Sequence, residues 1–284
     1  MAITAQAVKE LRQKTGAGMM DCKRALTETD GNIDEAIKVL RTKGLAAAAK
    51  KAHRAASEGA VVIVGDAAKM VILELNCETD FVARNDDFQT LAAALAEQAL
   101  ASGVTDVEAF KAMPFAGDEN HTVEQIISQK VATIGENIVL SRIELVEAGE
   151  GTMLSSYVHG GGTIGVLVEG SSSAGADALH DVALHIAASE PRFVSRAEVT
   201  DDILATEKEI AIKQVIDQGK PEHIAEKIVQ GKMEKFFESE VLLEQPFAKD
   251  TAISVGKHIE QTGGEDATVL RFVRFKLGEE TGKN

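Results

Sequence analysis

One order of elements is written twice in this chain. Residues 60–77 form two apolar runs around Gly65-Asp66, followed by an Ala/Leu-rich helical stretch at 87–102 and a later strand over 137–146. Residues 152–170 form two apolar runs around Gly160-Gly161-Gly162, followed by a helical stretch at 174–189 and a later strand over 269–277. A hairpin, a covering helix and a returning strand make an α+β layer on an antiparallel sheet, so the pattern predicts a two-unit α+β core. Inside the second unit the strand signals stop between residues 200 and 238. Ile203, Ile210, Val215 and Ile216 alternate there with charges, Gly219-Lys220-Pro221 breaks the helix, and Ile224, Ile228, Val229 and Phe236 resume a helical stripe. Helices joined by so short a turn run antiparallel, which predicts a projecting helical hairpin. Its scarcity of large side chains makes it a surface for docking or self-association.

Ahead of the core, residues 3–44 read as three short helices punctuated by Gly16, Gly18, Gly31 and Gly44. Asn32 with Glu35 is a helix-start signature, and Ile33, Ala36, Ile37 and Leu40 follow at helical spacing. The Ala- and Lys-rich stretch from Ala46 to Ser57 suits a helical or flexible connector. The organisation expected is therefore a three-helix domain at 1–45, a linker at 46–58 and a first core subdomain at 59–150. A second core subdomain is split into 151–199 and 239–278 around the 200–238 insertion, with a short tail at 279–284.

Chemistry-bearing residues are few. The buried-strand run Met70–Cys77 ends in Thr79-Asp80-Phe81-Val82, and Arg84, Asn85, Asp86 and Asp87 follow as a solvated turn or helix start. Phe81 then sits at the tip of a turn beside a carboxylate. It either tucks into its own core or is offered to a partner, as aromatic interface anchors are. Met19 and Met20 open the second helix of the head. Adjacent helical positions point about 100° apart, so the two cannot both be fully buried, and an exposed methionine is an adaptable contact.

Charge and composition exclude much. Residues 1–58 carry 11 Lys/Arg against 7 Asp/Glu, whereas the remainder carries 19 against 38. A body with a balance of −19 repels phosphate backbones, which argues against direct nucleic-acid binding, and the +4 head suits a solvated helical surface. No run of 18 apolar residues predicts a membrane span, and the N-terminus enters an amphipathic helix without a signal or transit pattern. Cys22 and Cys77 lie far apart in sequence, give no metal-ligand spacing and suit reduced thiols in a cytosol. Asn120-His121-Thr122 is then a chance sequon.

Two apparent motifs dissolve in context. Gly160-Gly161-Gly162-Thr163-Ile164-Gly165 fits a dinucleotide fingerprint, but Ile164, Val166, Leu167 and Val168 continue it as a strand, where a helix N-terminus is required. His180 and His185 lie about 140° apart around one helix and suit packing better than a shared metal. No phosphate-binding loop or nucleophile elbow occurs. The reading is of a chain that is not an enzyme, with no catalytic residue, cofactor or metal of its own.

Taken together, Thr15-Gly16-Ala17-Gly18-Met19-Met20-Asp21-Cys22-Lys23, the Thr79–Val82 turn, His159-Gly160 and Arg271-Phe272-Val273-Arg274-Phe275 closely resemble bacterial translation elongation factor Ts, from about residue 3 to about residue 278. The resemblance implies a head similar to ubiquitin-associated domains, a coiled-coil insertion and a cytoplasmic bacterial protein. It also implies a guanine nucleotide exchange factor that binds elongation factor Tu in its GDP-bound and nucleotide-free states. Thr79, Asp80, Phe81 and Val82 would contact that partner and displace its Mg²⁺. Met19, Met20 and Lys23 would hold the head to the same domain, and His159 would grip another. Only six residues follow Gly278, where several family members carry a further helix, and a weaker complex is the expectation. A passive scaffold and a cofactor enzyme built on the glycine turn are the rival classes. The first leaves the Thr79–Val82 turn unused, and the second predicts bound nucleotide.

Overall fold

The computed structural model describes residues 3–217 and 222–279, with side chains omitted for 222–226. Three helices come first: α1 (Ala5–Thr15), α2 (Met19–Glu28) and α3 (Ile33–Lys51). Thr4 and Asn32 cap α1 and α3 by accepting the N–H groups of Ala7 and Glu35. Val8, Leu11, Cys22, Ala25, Leu26 and Ala36 form their shared core. The third helix is longer than expected, because Gly44 does not end it. That glycine is buried where α3 packs on the helix over Val123–Ile134, and an added Cβ would meet the Ser128 carbonyl at 3.7 Å, an ordinary contact, so the helix runs through it.

The first unit comprises β1 (Glu58–Gly65), β2 (Lys69–Cys77), α4 (Asp80–Ala83), α5 (Asp86–Ser102), α6 (Val107–Ala112), the small hairpin β3 (Pro114–Phe115) and β4 (Asp118–Thr122), α7 (Val123–Ile134) and β5 (Ile138–Glu147). Its sheet has the antiparallel order β1-β2-β5. The second unit repeats the plan with β6 (Thr152–His159), β7 (Ile164–Ser171), α8 (Ala176–Ser189), β8 (Pro246–Phe247), β9 (Asp250–Ser254), α11 (Val255–Gly263) and β10 (Val269–Lys276), in sheet order β6-β7-β10. Between α8 and β8 lie α9 (Asp201–Asp217) and α10 (Glu222–Glu240). These two helices share a small apolar cluster of Ala211, Val215 and Val229, and Lys232 Nζ donates to Gln214 Oε1 at 2.6 Å. The Gly219-Lys220-Pro221 break and the Ile224 side chain lie outside the described residues.

The two sheets pack face to face, with helices on the outside of each. On β2, Val71, Leu73, Leu75 and Cys77 face the α5 layer with Phe88 and Leu95, while Ile72 points the other way to meet Leu167 and Phe275 of the second sheet. On β7, Val166 and Val168 face α8 and α11, while Leu167 faces the first sheet. Central strands covered on both faces are mostly apolar, and the polar residues they do carry, Glu74 and Asn76 on β2 and Glu169 on β7, are buried and hydrogen-bonded. At Gly165 the sheets approach closely, since an added Cβ would collide with Val61 Cγ1.

Two ion pairs at that interface mirror each other, each built on a buried carboxylate. Arg142 of β5 donates through Nε to Glu74 of β2 at 2.6 Å, and through Nη2 to the Lys276 carbonyl of β10 at 3.0 Å. Arg271 of β10 donates through Nε to Glu169 of β7 at 2.6 Å, and through Nη2 to the Glu147 carbonyl of β5 at 3.0 Å. Each arginine thus pairs within its own sheet and bonds the backbone of the other. Burial pushes the Glu169 carboxyl up, but the Gly149 N–H, Thr152 hydroxyl and Arg271 guanidinium outweigh it and hold it below the usual range.

Candidate functional site

The Thr79–Val82 turn is built by two successive helix caps. Thr79 is extended, and its hydroxyl accepts the Val82 N–H at 3.4 Å, starting the single turn of α4. Asn85 then caps α5 by accepting the Asp87 N–H at 2.8 Å. Ala83 is buried and Val82 packs half-buried on the first unit's core, so the short helix is anchored along one side. Phe81 points the other way and is 83% exposed, the most exposed large apolar side chain among the described residues. Asp80, beside it, pairs with Arg84 at 3.2 Å. Of the alternatives that the sequence left open, the ring is offered outward.

A second carboxylate holds this turn from behind. Glu136, between α7 and β5, accepts the N–H of Glu78 at 3.1 Å, the N–H of Thr79 at 3.0 Å and the Thr79 hydroxyl at 2.7 Å. The contact is reciprocal, because Glu78 accepts the Asn137 N–H at 2.7 Å, and that bond, then the nearby Arg54, holds the Glu78 carboxyl below the usual range. Asn137 Nδ2 in turn donates to the Arg54 carbonyl at 2.9 Å, tying the connector to the same point. Cys77 lies beneath; burial, aided by the Glu136 charge, pushes its thiol up to about 12.

The remaining predicted residues lie on other elements. Met19 and Met20 begin α2 and are both exposed, at 60% and 64%, with Lys23 exposed one turn on. His159 is exposed at the end of β6, its Nδ1 3.0 Å from the Tyr157 hydroxyl. A cleft of about 570 Å³ separates the head from β4 and α7; Gly18, Asp21, Arg41 and His121 line it, and no residue of the Thr79–Val82 turn does. The Gly160–Gly162 turn joins two strands, and its Gly162 carbonyl accepts the Val61 N–H at 2.8 Å. His185 is buried between Gln245, 2.8 Å from its Nε2, and the Ala248 N–H, which donates to Nδ1 at 3.1 Å. Burial lowers its pKa. Among the described residues no three His, Cys, Asp or Glu side chains gather as a metal site, and no helix is long and apolar enough to cross a membrane.

A model of the Elongation factor TS family matches residues 78–279. Elongation factor Ts of Syntrophotalea carbinolica (strain DSM 2380 / NBRC 103641 / GraBd1) is 47% identical over 287 residues, spanning 98% of this chain and 94% of its own length. The chain belongs to the elongation factor Ts family. It is therefore a component of translation elongation. The segment matched by the family model opens at Glu78, one residue before the turn, and takes in His159 and β10; Met19, Met20 and Lys23 precede it.

Sequence reasoning missed Glu136, which lies 57 residues from Thr79 and carries no local signal. It also missed a repeat that was visible. Pro114-Phe115-Ala116-Gly117-Asp118 and Pro246-Phe247-Ala248-Lys249-Asp250 occupy equivalent hairpins. Gln98 accepts the Ala116 N–H at 2.9 Å where His185 accepts that of Ala248, so His185 is the structural counterpart of Gln98.

Proposed function

We propose that this chain is the guanine nucleotide exchange factor for elongation factor Tu, binding its GDP complex and releasing the nucleotide by disturbing the partner's Mg²⁺ and phosphate site. The observation that carries the reading is Phe81, an aromatic ring 83% exposed on a turn clamped by Glu136. A GTPase holds GDP through a phosphate loop and a Mg²⁺ shared with the phosphate oxygens. A protein without reactive groups accelerates release by binding the nucleotide-free shape best, and linkage makes GDP and the factor weaken each other by the same factor.

Phe81 acts as the wedge between helices of the partner's nucleotide domain. Burying such a ring is worth about 1.5–3 kcal/mol, or roughly one to two decades in an equilibrium constant. Asp80 adds a carboxylate next to the metal's surroundings, Thr79 fixes the turn, and the exposed edge of Val82 extends the contact. Met19, Met20 and Lys23 give the head, a module like ubiquitin-associated domains, a hold on the same domain. His159 and the second unit grip another domain and supply the lever's fixed point. The α9–α10 insertion is a coiled-coil hairpin open to self-association, and the setting is the bacterial cytoplasm. The acidic body argues against direct nucleic-acid contact.

The test is catalytic turnover of the partner. A substoichiometric amount of the protein should release a fluorescent GDP analogue from many equivalents of elongation factor Tu. Release that is only stoichiometric would identify a passive binder.

A further inference from the structure

We propose that Glu136 is a positioning residue for exchange, holding α4 so that Phe81 already faces the partner before contact. This rests on the reading of Phe81 as the wedge. A helix of four residues, Asp80–Ala83, is far below the length at which an isolated helix persists; Val82 and Ala83 anchor one side of it on the core, and its N-terminal end needs a hold of its own. Phe81 cannot supply that, because a ring so exposed makes little contact with its own protein. Strand pairing cannot supply it either: the ladders of β2 with β1 and β5 both end at Cys77, opposite Glu58 and Ile138. The next two N–H groups, of Glu78 and Thr79, are met by one carboxylate, which also takes the capping hydroxyl.

The carboxylate is itself well placed. Gly135, with φ 94°, ends α7 in a left-handed conformation and turns the chain toward the end of β2. The Asn137 N–H then closes the clasp on Glu78, so the two segments hold each other by bonds in both directions. Bonds to an ionised acceptor are the stronger kind. A wedge ordered beforehand spares the ordering cost that a loose turn would meet on binding.

Exchange assays on full-length protein separate this role from simple support of the fold. Glu136→Ala should lower the acceleration of GDP release about tenfold, and Glu136→Gln, which keeps one acceptor oxygen, should fall between it and the parent. In a Phe81→Ala background the same Glu136→Ala change should cost less than about twofold, because its effect passes through the ring. An equal fold-loss in both backgrounds would overturn the proposal. If Phe81→Ala alone leaves exchange intact, the wedge reading itself fails, and that outcome is separate. A second readout needs no partner. The chain has no tryptophan, so the indole introduced by Phe81→Trp reports alone. Its fluorescence anisotropy should drop when Glu136→Gln or Glu136→Ala is added, with the thermal midpoint of the Glu136→Gln form retained. Unchanged anisotropy in the folded Glu136→Gln protein would refute the clasp.

Discussion

Removing Arg142 tests the packing that joins the two units. Its partner Glu74 keeps only 5% side-chain exposure and Arg142 itself 19%, so Arg142→Ala strands a carboxylate between the sheets. The Asn76 amide, donating to Glu74 Oε1 at 2.9 Å, would remain. Breaking a buried pair from one side costs about 3–5 kcal/mol, and the retained amide bond places this case near the lower end. Three further contacts go with the guanidinium: the bond to the Lys276 carbonyl, a half-exposed pairing with Glu279 at 3.8 Å, and its stacking 3.9 Å from the Phe275 ring centroid. A cation–π contact contributes about 0.5–2 kcal/mol, which brings the expected loss to about 4 kcal/mol. At roughly 2–4 °C per kcal/mol for a chain of this size, the thermal midpoint should drop by about 8–16 °C. Circular dichroism melts read this directly, with Arg84→Ala as a control, since that pair is exposed and its loss should leave the midpoint in place. Replacing both partners, Glu74→Leu with Arg142→Met, should recover most of the loss. A midpoint for Arg142→Ala within 2 °C of the parent, by the same conversion, would refute the burial argument.

Two further outcomes follow from individual sites. His185 has its pKa lowered by burial, so the folded state resists the proton that the unfolded state takes up. Its contribution is complete above the unfolded value of about 6.5 and is lost as pH falls below it; urea midpoints between pH 7.5 and 5 should show this, and His185→Gln, matching Gln98, should flatten the slope. Cys77, its thiol pushed up to about 12, should escape iodoacetamide at pH 8 in the folded protein and react on unfolding; labelling of the native protein within minutes would contradict its burial.

How far the fold was legible depended on the range of the interactions. Local signals served well: the apolar run before Cys77, the glycines at 160–162 and the helix-start signature at Asn32 act over a few residues, and each marks the element found there. Gly44 misled, because a glycine that ends a helix and one in its middle look alike in sequence, and here packing on α7 carries α3 through it. The facing of the sheets was hidden for a similar reason. Glu74 and Glu169 sit within apolar runs as unexplained charges until Arg142 and Arg271 arrive on distant strands. At the candidate site the sequence pointed to Phe81 but left its direction open. That direction depends on Glu136, which comes from a different connection in the chain.

The most direct test measures release of a fluorescent GDP analogue from elongation factor Tu with a trace of this protein, parent beside Phe81→Ala. Because the ring is 83% exposed, the substitution should leave the thermal midpoint unchanged. The account predicts rapid release with the parent, slowed about ten- to a hundredfold in Phe81→Ala, the range expected for one lost buried aromatic. Equal acceleration by both proteins, or none by the folded parent, would contradict it.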